Sequence, residues 1–140
     1  MSTISPYVTI IIPVYNGAAF LPQCLDAVSK SSYRSFEVIV VDDCSTDESA
    51  GLSRRSGARV LSTSRNSGPG AARNLAAESA LGEILFFVDA DVVVRPETIG
   101  LVADRFEKQP QISALFGSYD DEPAEKNFLS QYKNLQHHFV

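Results

Sequence analysis

The sequence predicts a doubly wound α/β domain: a mostly parallel sheet with helices on both faces. Two observations carry that expectation. Four apolar runs are continuous rather than alternating and rich in β-branched or aromatic residues, as in strands covered on both faces. Helical patterns fall between them, so strand and helix alternate along the chain. The first run is Val8–Ile12. Phe20–Lys30 follows, with Leu21, Leu25 and Val28 at helical spacing and Pro22 in the first turn, where a missing N–H costs nothing. The second run is Phe36–Val41. Ser45 and Glu48 then have the spacing of a capping box, and Gly57 is a natural stop for the short helix between. A weaker strand covers Ala58–Ser62. Gly70–Ala80 reads as a helix with five alanines, small enough to lie close to a sheet. The third run is Ile84–Val88. Pro96–Lys108 opens with Pro and buries Ile99, Val102 and Phe106, stopping before Pro110. The fourth run, Ile112–Phe116, completes a β-α-β-α-β-α-β-α-β order.

Composition sets the outer limits. The chain has 140 residues, 44% hydrophobic and 21% charged, the balance of one folded domain rather than a disordered segment. Its net charge of −5 argues against a nucleic-acid partner. No apolar run approaches the roughly 20 residues that cross a bilayer, and Met1–Tyr7 lacks the features of a secretory leader. Two cysteines, Cys24 and Cys44, form neither a disulfide framework nor a metal-ligand spacing, so a reducing, cytoplasmic setting is expected. Cys24 reads as core. Cys44 follows two acids that raise a thiol pKa, which argues against a nucleophile. His137 and His138 are adjacent and point apart on a helix, so a shared metal site is not expected. Asp120–Lys126 reads as a loop. Asn127–Val140 resumes a helical pattern with an apolar face that requires burial against this domain, another copy or further chain. A division into 1–122 and a helical tail at 123–140 is expected, and a homodimer is one outcome of the open tail.

Ligands of open parallel sheets bind at the carboxyl ends of the strands. At those ends stand Pro13-Val14-Tyr15-Asn16-Gly17, Asp42-Asp43, the loop Asn66-Ser67-Gly68-Pro69-Gly70, and Asp89-Ala90-Asp91. Asp89 and Asp91 cap a buried strand. Two carboxylates one residue apart can both face a divalent ion, or one can face the ion and the other a ribose. Hard oxygen ligands select Mg²⁺ or Mn²⁺, which usually arrive with substrate phosphates. An acid-rich turn without a ligand is the alternative. Asp42 and Asp43 divide between two roles, a ligand contact and the capping of their own loop. Gly68–Arg73 is close to a dinucleotide fingerprint, but Arg73 fills its third small position and Thr63–Ser67 separates the loop from its strand. Arg73 is either a surface ion-pairing residue or a group that reaches a phosphate or base.

Four motifs stand in order: Val8–Asn16, Val38–Asp47, Asn66–Asn74 and Phe86–Asp91. Together they resemble the family 2 glycosyltransferases, of Rossmann-like GT-A fold, over about Val8–Phe116. The resemblance implies a nucleotide-diphosphate sugar as partner, a UDP-sugar first, with an unidentified acceptor. It implies base contacts from Pro13 and Tyr15 and hydrogen bonding of the base by Asp43. Gly68 and Arg73 would line the nucleotide pocket, Asp89 would face the ribose, and Asp91 would hold the metal, Mn²⁺ or Mg²⁺. It further implies metal-assisted transfer to an acceptor hydroxyl with inversion. The family's general base lies beyond the D-x-D motif, and none is assigned within Val140. The chain is therefore expected to be the nucleotide-binding half and inactive alone. A phospho-acceptor receiver domain is the alternative: Asp42 and Asp43 resemble its acidic strand end, and Asp89 its acceptor.

Overall fold

A computed structural model describes residues 5–117. The element order is β1 (Val8–Val14), α1 (Leu21–Ser29), β2 (Phe36–Asp42), α2 (Ser49–Arg55), β3 (Arg59–Ser62), α3 (Pro69–Ser79), β4 (Ile84–Phe87) and α4 (Thr98–Lys108). The chain divides into two compact units, Met1–Gln109 and Pro110–Val140, and all eight elements belong to the first. The tail at 127–140, with His137 and His138, and the loop at 120–126 lie outside the described residues.

The strands form one parallel sheet in the order β3-β2-β1-β4. The chain steps outward from β1 to β3, then crosses back to lay β4 on the other side of β1. Right-handed crossovers require the returning helix to pack on the opposite face. The core shows this division. Val8, Ile10, Ile12 and Val14 of β1 meet Leu21, Cys24 and Val28 of α1 and Ile99 and Ala103 of α4, with Leu52 of α2 at the margin. On the reverse face, Ile11, Ile39 and Val41 meet Ala72 and Ala76 of α3. Alanine at those two positions lets the helix lie close to the sheet, as its composition predicts.

β1 extends two residues past its expected end, through Pro13. Ile11 C=O accepts the Val88 N–H at 3.0 Å. The next rung of a parallel ladder would run from residue 13 to Val88 C=O. Proline has no proton to give, so β1 and β4 part there. On the other side, β1 stays paired with β2 as far as Val14 and Asp42.

At the amino end of the sheet, a partly buried polar knot ties the chain before β4 to the first two strands. Thr9 Oγ1 donates to Glu37 Oε1 at 2.7 Å. The Leu81 N–H donates to the same oxygen at 2.7 Å, and the Gly82 N–H to Thr9 Oγ1 at 2.8 Å. Gly82 is required by closeness: a Cβ there would sit 2.4 Å from Thr9 N.

Two expectations are corrected. Ile112–Phe116 is not a strand: no strand among the described residues pairs with it, and Phe116 is 95% exposed. Ser45 and Glu48 form no capping box. α2 begins only at Ser49, Glu48 makes no side-chain cap, and the Ser45 hydroxyl instead accepts the Asn16 N–H at 3.0 Å. The Gly57 stop stands, at φ 82° just past α2.

Gly82→Ala drives a methyl group into backbone and is expected to cost about 2–4 kcal/mol in urea unfolding. Gly70→Ala, on α3 with open space around it, is expected to leave stability within about 0.5 kcal/mol.

Candidate donor-binding site

The register brings the ends of β1, β2 and β3 level, with Val14 opposite Asp42 and Asp42 opposite Ser62. Sheet order reverses between β1 and β4, so the crevice expected of such a fold opens at the carboxyl ends of those two strands. Pro13 is buried within β1, whereas Tyr15 is 52% exposed at the rim.

The loops after β1 and β2 are clasped together. The backbone N–H groups of Asn16, Gly17 and Ala18 donate in succession to Ser45 Oγ, Ser49 Oγ and Asp47 Oδ2, each at 3.0 Å. In return, Asn16 Oδ1 accepts the Thr46 N–H at 2.8 Å. Asn16 and Cys44 both have left-handed backbones, with φ 48° and 63°. Asn tolerates that region, whereas Cys there is uncommon and held by its surroundings. Hydrogen bonds from Ser49 and Ala18 hold the Asp47 carboxyl below its ordinary pKa.

Asp43 organises the next loop. Its N–H donates to Val14 C=O at 2.8 Å, and its side chain is 2% exposed. Oδ1 accepts from Thr63 Oγ1 at 2.7 Å and the Ser67 N–H at 2.9 Å. Oδ2 accepts from the Gly68 N–H at 2.7 Å, with Ser67 N–H shared at 3.0 Å. Burial by itself would raise this carboxyl. The Thr63 hydroxyl and the two amides outweigh it and hold the pKa below the ordinary value. Asp43 thus reaches across to fix the segment that enters α3, where Gly68 at φ 87° makes the turn. Asp42 is buried too and accepts the Ser45 N–H at 3.3 Å, a cap for its own loop.

β4 ends in the acidic turn. Asp89 is exposed, and its Oδ1 lies 2.6 Å from Arg73 Nη2 on α3. Beneath the turn, the buried Cys24 thiol faces Asp89 C=O at 3.7 Å. Burial, then the charges of Asp91 and Asp89, push its pKa up to about 11, so it stays protonated. That matches its expected place in the core. Asp91 is exposed, and no hydrogen bond or ion pair of the described residues engages its carboxylate.

The donor set fits a hard divalent cation of the Mg²⁺ or Mn²⁺ type. Among the described residues no group of three or more His, Cys, Asp or Glu side chains could hold a metal alone. Such ions ordinarily take one or two carboxylates together with waters and substrate phosphates, so Asp91 with Asp89 could supply the protein's share. Asp89 and Arg73 are thus paired, with Asp91 in the same turn, while Asp43 and Gly68 are joined through the loop before α3. The sequence reading missed Thr63 and Ser67 as partners of Asp43, and Asn16, Ser45, Asp47 and Ser49 as the clasp. A hydroxyl residue directly after β3 was the one local sign of the first.

Asp43→Ala leaves two amides and a hydroxyl without their acceptor and is expected to cost about 2–4 kcal/mol. Because the folded carboxyl has the lower pKa, the unfolded chain binds the extra proton. The stabilisation is complete above the unfolded value of roughly 3.9 and is lost as pH falls toward the folded value. Urea unfolding from pH 7 down to pH 2 is expected to show that acid-side loss in the wild type and a shallower one in Asp43→Asn.

Comparisons with known proteins agree with this geometry. Residues 9–139 match the model of the Glycosyl transferase family 2. Glycosyltransferase GlyG of Streptococcus pneumoniae is 27% identical over 89% of this chain and 43% of its own length. The structure of Staphylococcus aureus TarS 1-349 in complex with UDP-GlcNAc superposes with a TM-score of 0.70 at 29% identity, covering 84% of this chain and 39% of that one. The mannosyltransferase PcManGT of Pyrobaculum calidifontis, in complex with GDP-Man and Mn²⁺, gives 0.72 at 27% identity, covering 95% and 39%. This chain therefore spans less than half the length of each. The family match and the four motifs along one sheet edge lead to the same conclusion: the chain belongs to family 2 of the glycosyltransferases and has the GT-A fold.

Proposed function

We propose that this chain supplies the donor site of a glycosyltransferase that moves a sugar from a nucleoside diphosphate to an acceptor hydroxyl, with inversion. The observation that carries this reading is the acidic turn Asp89–Asp91 at the β1/β4 switch point, with Arg73 paired to its first carboxylate. In this reading Pro13 and Tyr15 border the base. Asp43 serves the base pocket through the 63–68 segment it holds, and a base N–H would share an oxygen that already accepts. Gly68 keeps the entry to α3 open to the nucleotide, and Asp89 faces the ribose. Asp91, with Asp89 beside it, would hold the divalent cation. That ion, when bound, supplies charge stabilisation for the departing diphosphate. The chain's own part is to fix the donor so that one face of its anomeric carbon stays open to the acceptor.

The UDP-GlcNAc of the TarS complex and the GDP-Man of the PcManGT complex favour a diphosphate donor and leave two bases to compare. UDP is the first choice. The receiver reading has no support in the topology. It leaves the strand and helix of Val8–Lys30 as added elements, yet β1 is an inner strand between β2 and β4.

Thermal unfolding with UDP, GDP and ADP, each with and without Mn²⁺, tests the proposal. UDP with Mn²⁺ is expected to stabilise the fold by about 2.7 kcal/mol at a hundredfold excess over Kd. Asp91→Ala is expected to remove the metal-dependent part. No shift with any nucleotide would overturn the reading.

A further inference from the structure

The Arg73–Asp89 pair has a feature that a purely structural ion pair lacks. One guanidinium N–H meets Asp89 Oδ1 at 2.6 Å, yet the Nε–H is buried and finds no acceptor among the described residues. A guanidinium settled in a structural role satisfies its buried donors, because an orphaned one is costly. Arg73 is held in place by charge, not by a complete set of hydrogen bonds. The site it occupies is the acidic turn itself. Asp89 is 54% exposed and Asp91 is exposed as well, so the turn is open to a cation from solvent. Without a ligand, Arg73 is the resident positive charge of that turn.

We infer that Arg73 is an electrostatic latch on the acidic turn, which disfavours a divalent cation arriving alone and yields to one that arrives with a nucleoside diphosphate. The inference rests on the donor-site reading above. A free dication must approach a turn already partly neutralised by the guanidinium. At separations of about 6 Å in watery surroundings, one unit charge changes the binding of a dication by about tenfold, and salt reduces this. A diphosphate removes the conflict. Its oxygens bring negative charge for both the ion and the guanidinium, and offer acceptors to Arg73 as it leaves Asp89. Arg73 thus makes metal binding depend on the nucleotide, and by linkage the nucleotide depends on the metal to the same degree.

The test is a Mn²⁺ titration of the 140-residue chain, followed by the electron paramagnetic resonance signal of the free ion, with and without UDP. It compares wild type, Arg73→Gln and Arg73→Lys. Arg73→Gln is expected to bind Mn²⁺ alone about five- to tenfold more tightly than wild type. The enhancement of Mn²⁺ binding by UDP is expected to shrink by at least that factor. Arg73→Lys retains the charge and is expected to stay near wild type for Mn²⁺ alone. Damage to the fold would weaken both titrations, so the opposite signs separate a latch from a structural role. Equal or weaker binding of Mn²⁺ alone by Arg73→Gln overturns the latch, even where wild type binds Mn²⁺ with UDP. Absence of Mn²⁺ binding by wild type, with or without UDP, overturns the donor-site reading and the latch with it.

Discussion

The whole arrangement depends on the burial of β1, an inner strand paired with β2 on one side and β4 on the other, with helices on both faces. All seven of its residues are buried. Its even-numbered side chains fill one core cluster and Ile11 the other, so a one-residue slip would exchange the two faces. This register fixes where Val14 ends, and hence where the loops carrying Tyr15 and Asn16 begin. It also fixes β4, which pairs with nothing else among the described residues. The switch point is therefore a by-product of how β1 is buried. The polar groups at the sheet edge are placed by an apolar requirement.

On that frame the carboxylates have separate duties. Asp42 and Asp43 are buried and turned inward, each accepting hydrogen bonds from a following loop. Asp89 and Asp91 are exposed and turned outward. Identical side chains, each at a strand end, are thus held inside the scaffold in one case and left at the surface in the other. The difference lies in which backbone amides come near. Ser67 and Gly68 are carried to Asp43 by the entry to α3, whereas among the described residues the Asp89 carboxylate meets Arg73 alone. The clasp between the first two loops works in the same sense, since the amides of residues 16–18 are satisfied by hydroxyls and a carboxylate. That leaves the rim ordered without help from a ligand.

Much of this was legible in the sequence because local composition encodes it. Continuous apolar runs marked β1, β2 and β4, alanines marked the helix that lies close to the sheet, and Gly57 marked the end of α2. The motifs stood at strand ends, where the fold class places ligands. Illegible were the contacts between residues far apart in the chain. Asp43 and Thr63 are joined only when β2 and β3 pair, and Arg73 meets Asp89 only when α3 crosses the sheet. Ser45 illustrates the limit. Its spacing to Glu48 fits a helix cap, but a tertiary partner, the Asn16 amide, claims its hydroxyl first. The apolar run Ile112–Phe116 had strand composition, but composition supplies no partner strand.

The late arrival of β4 has a consequence for how the chain is made. β1 is synthesised first, and its partner on one side follows soon after; its partner on the other side, beginning at Ile84, emerges far later. Until then β1 presents an unpaired, largely apolar edge, the kind of surface that templates aggregation. The knot of Thr9, Glu37, Leu81 and Gly82 lies where β4 begins, so it closes that edge from the amino end of the sheet. Chains that stop short of Ile84 therefore leave one side of β1 without a partner strand.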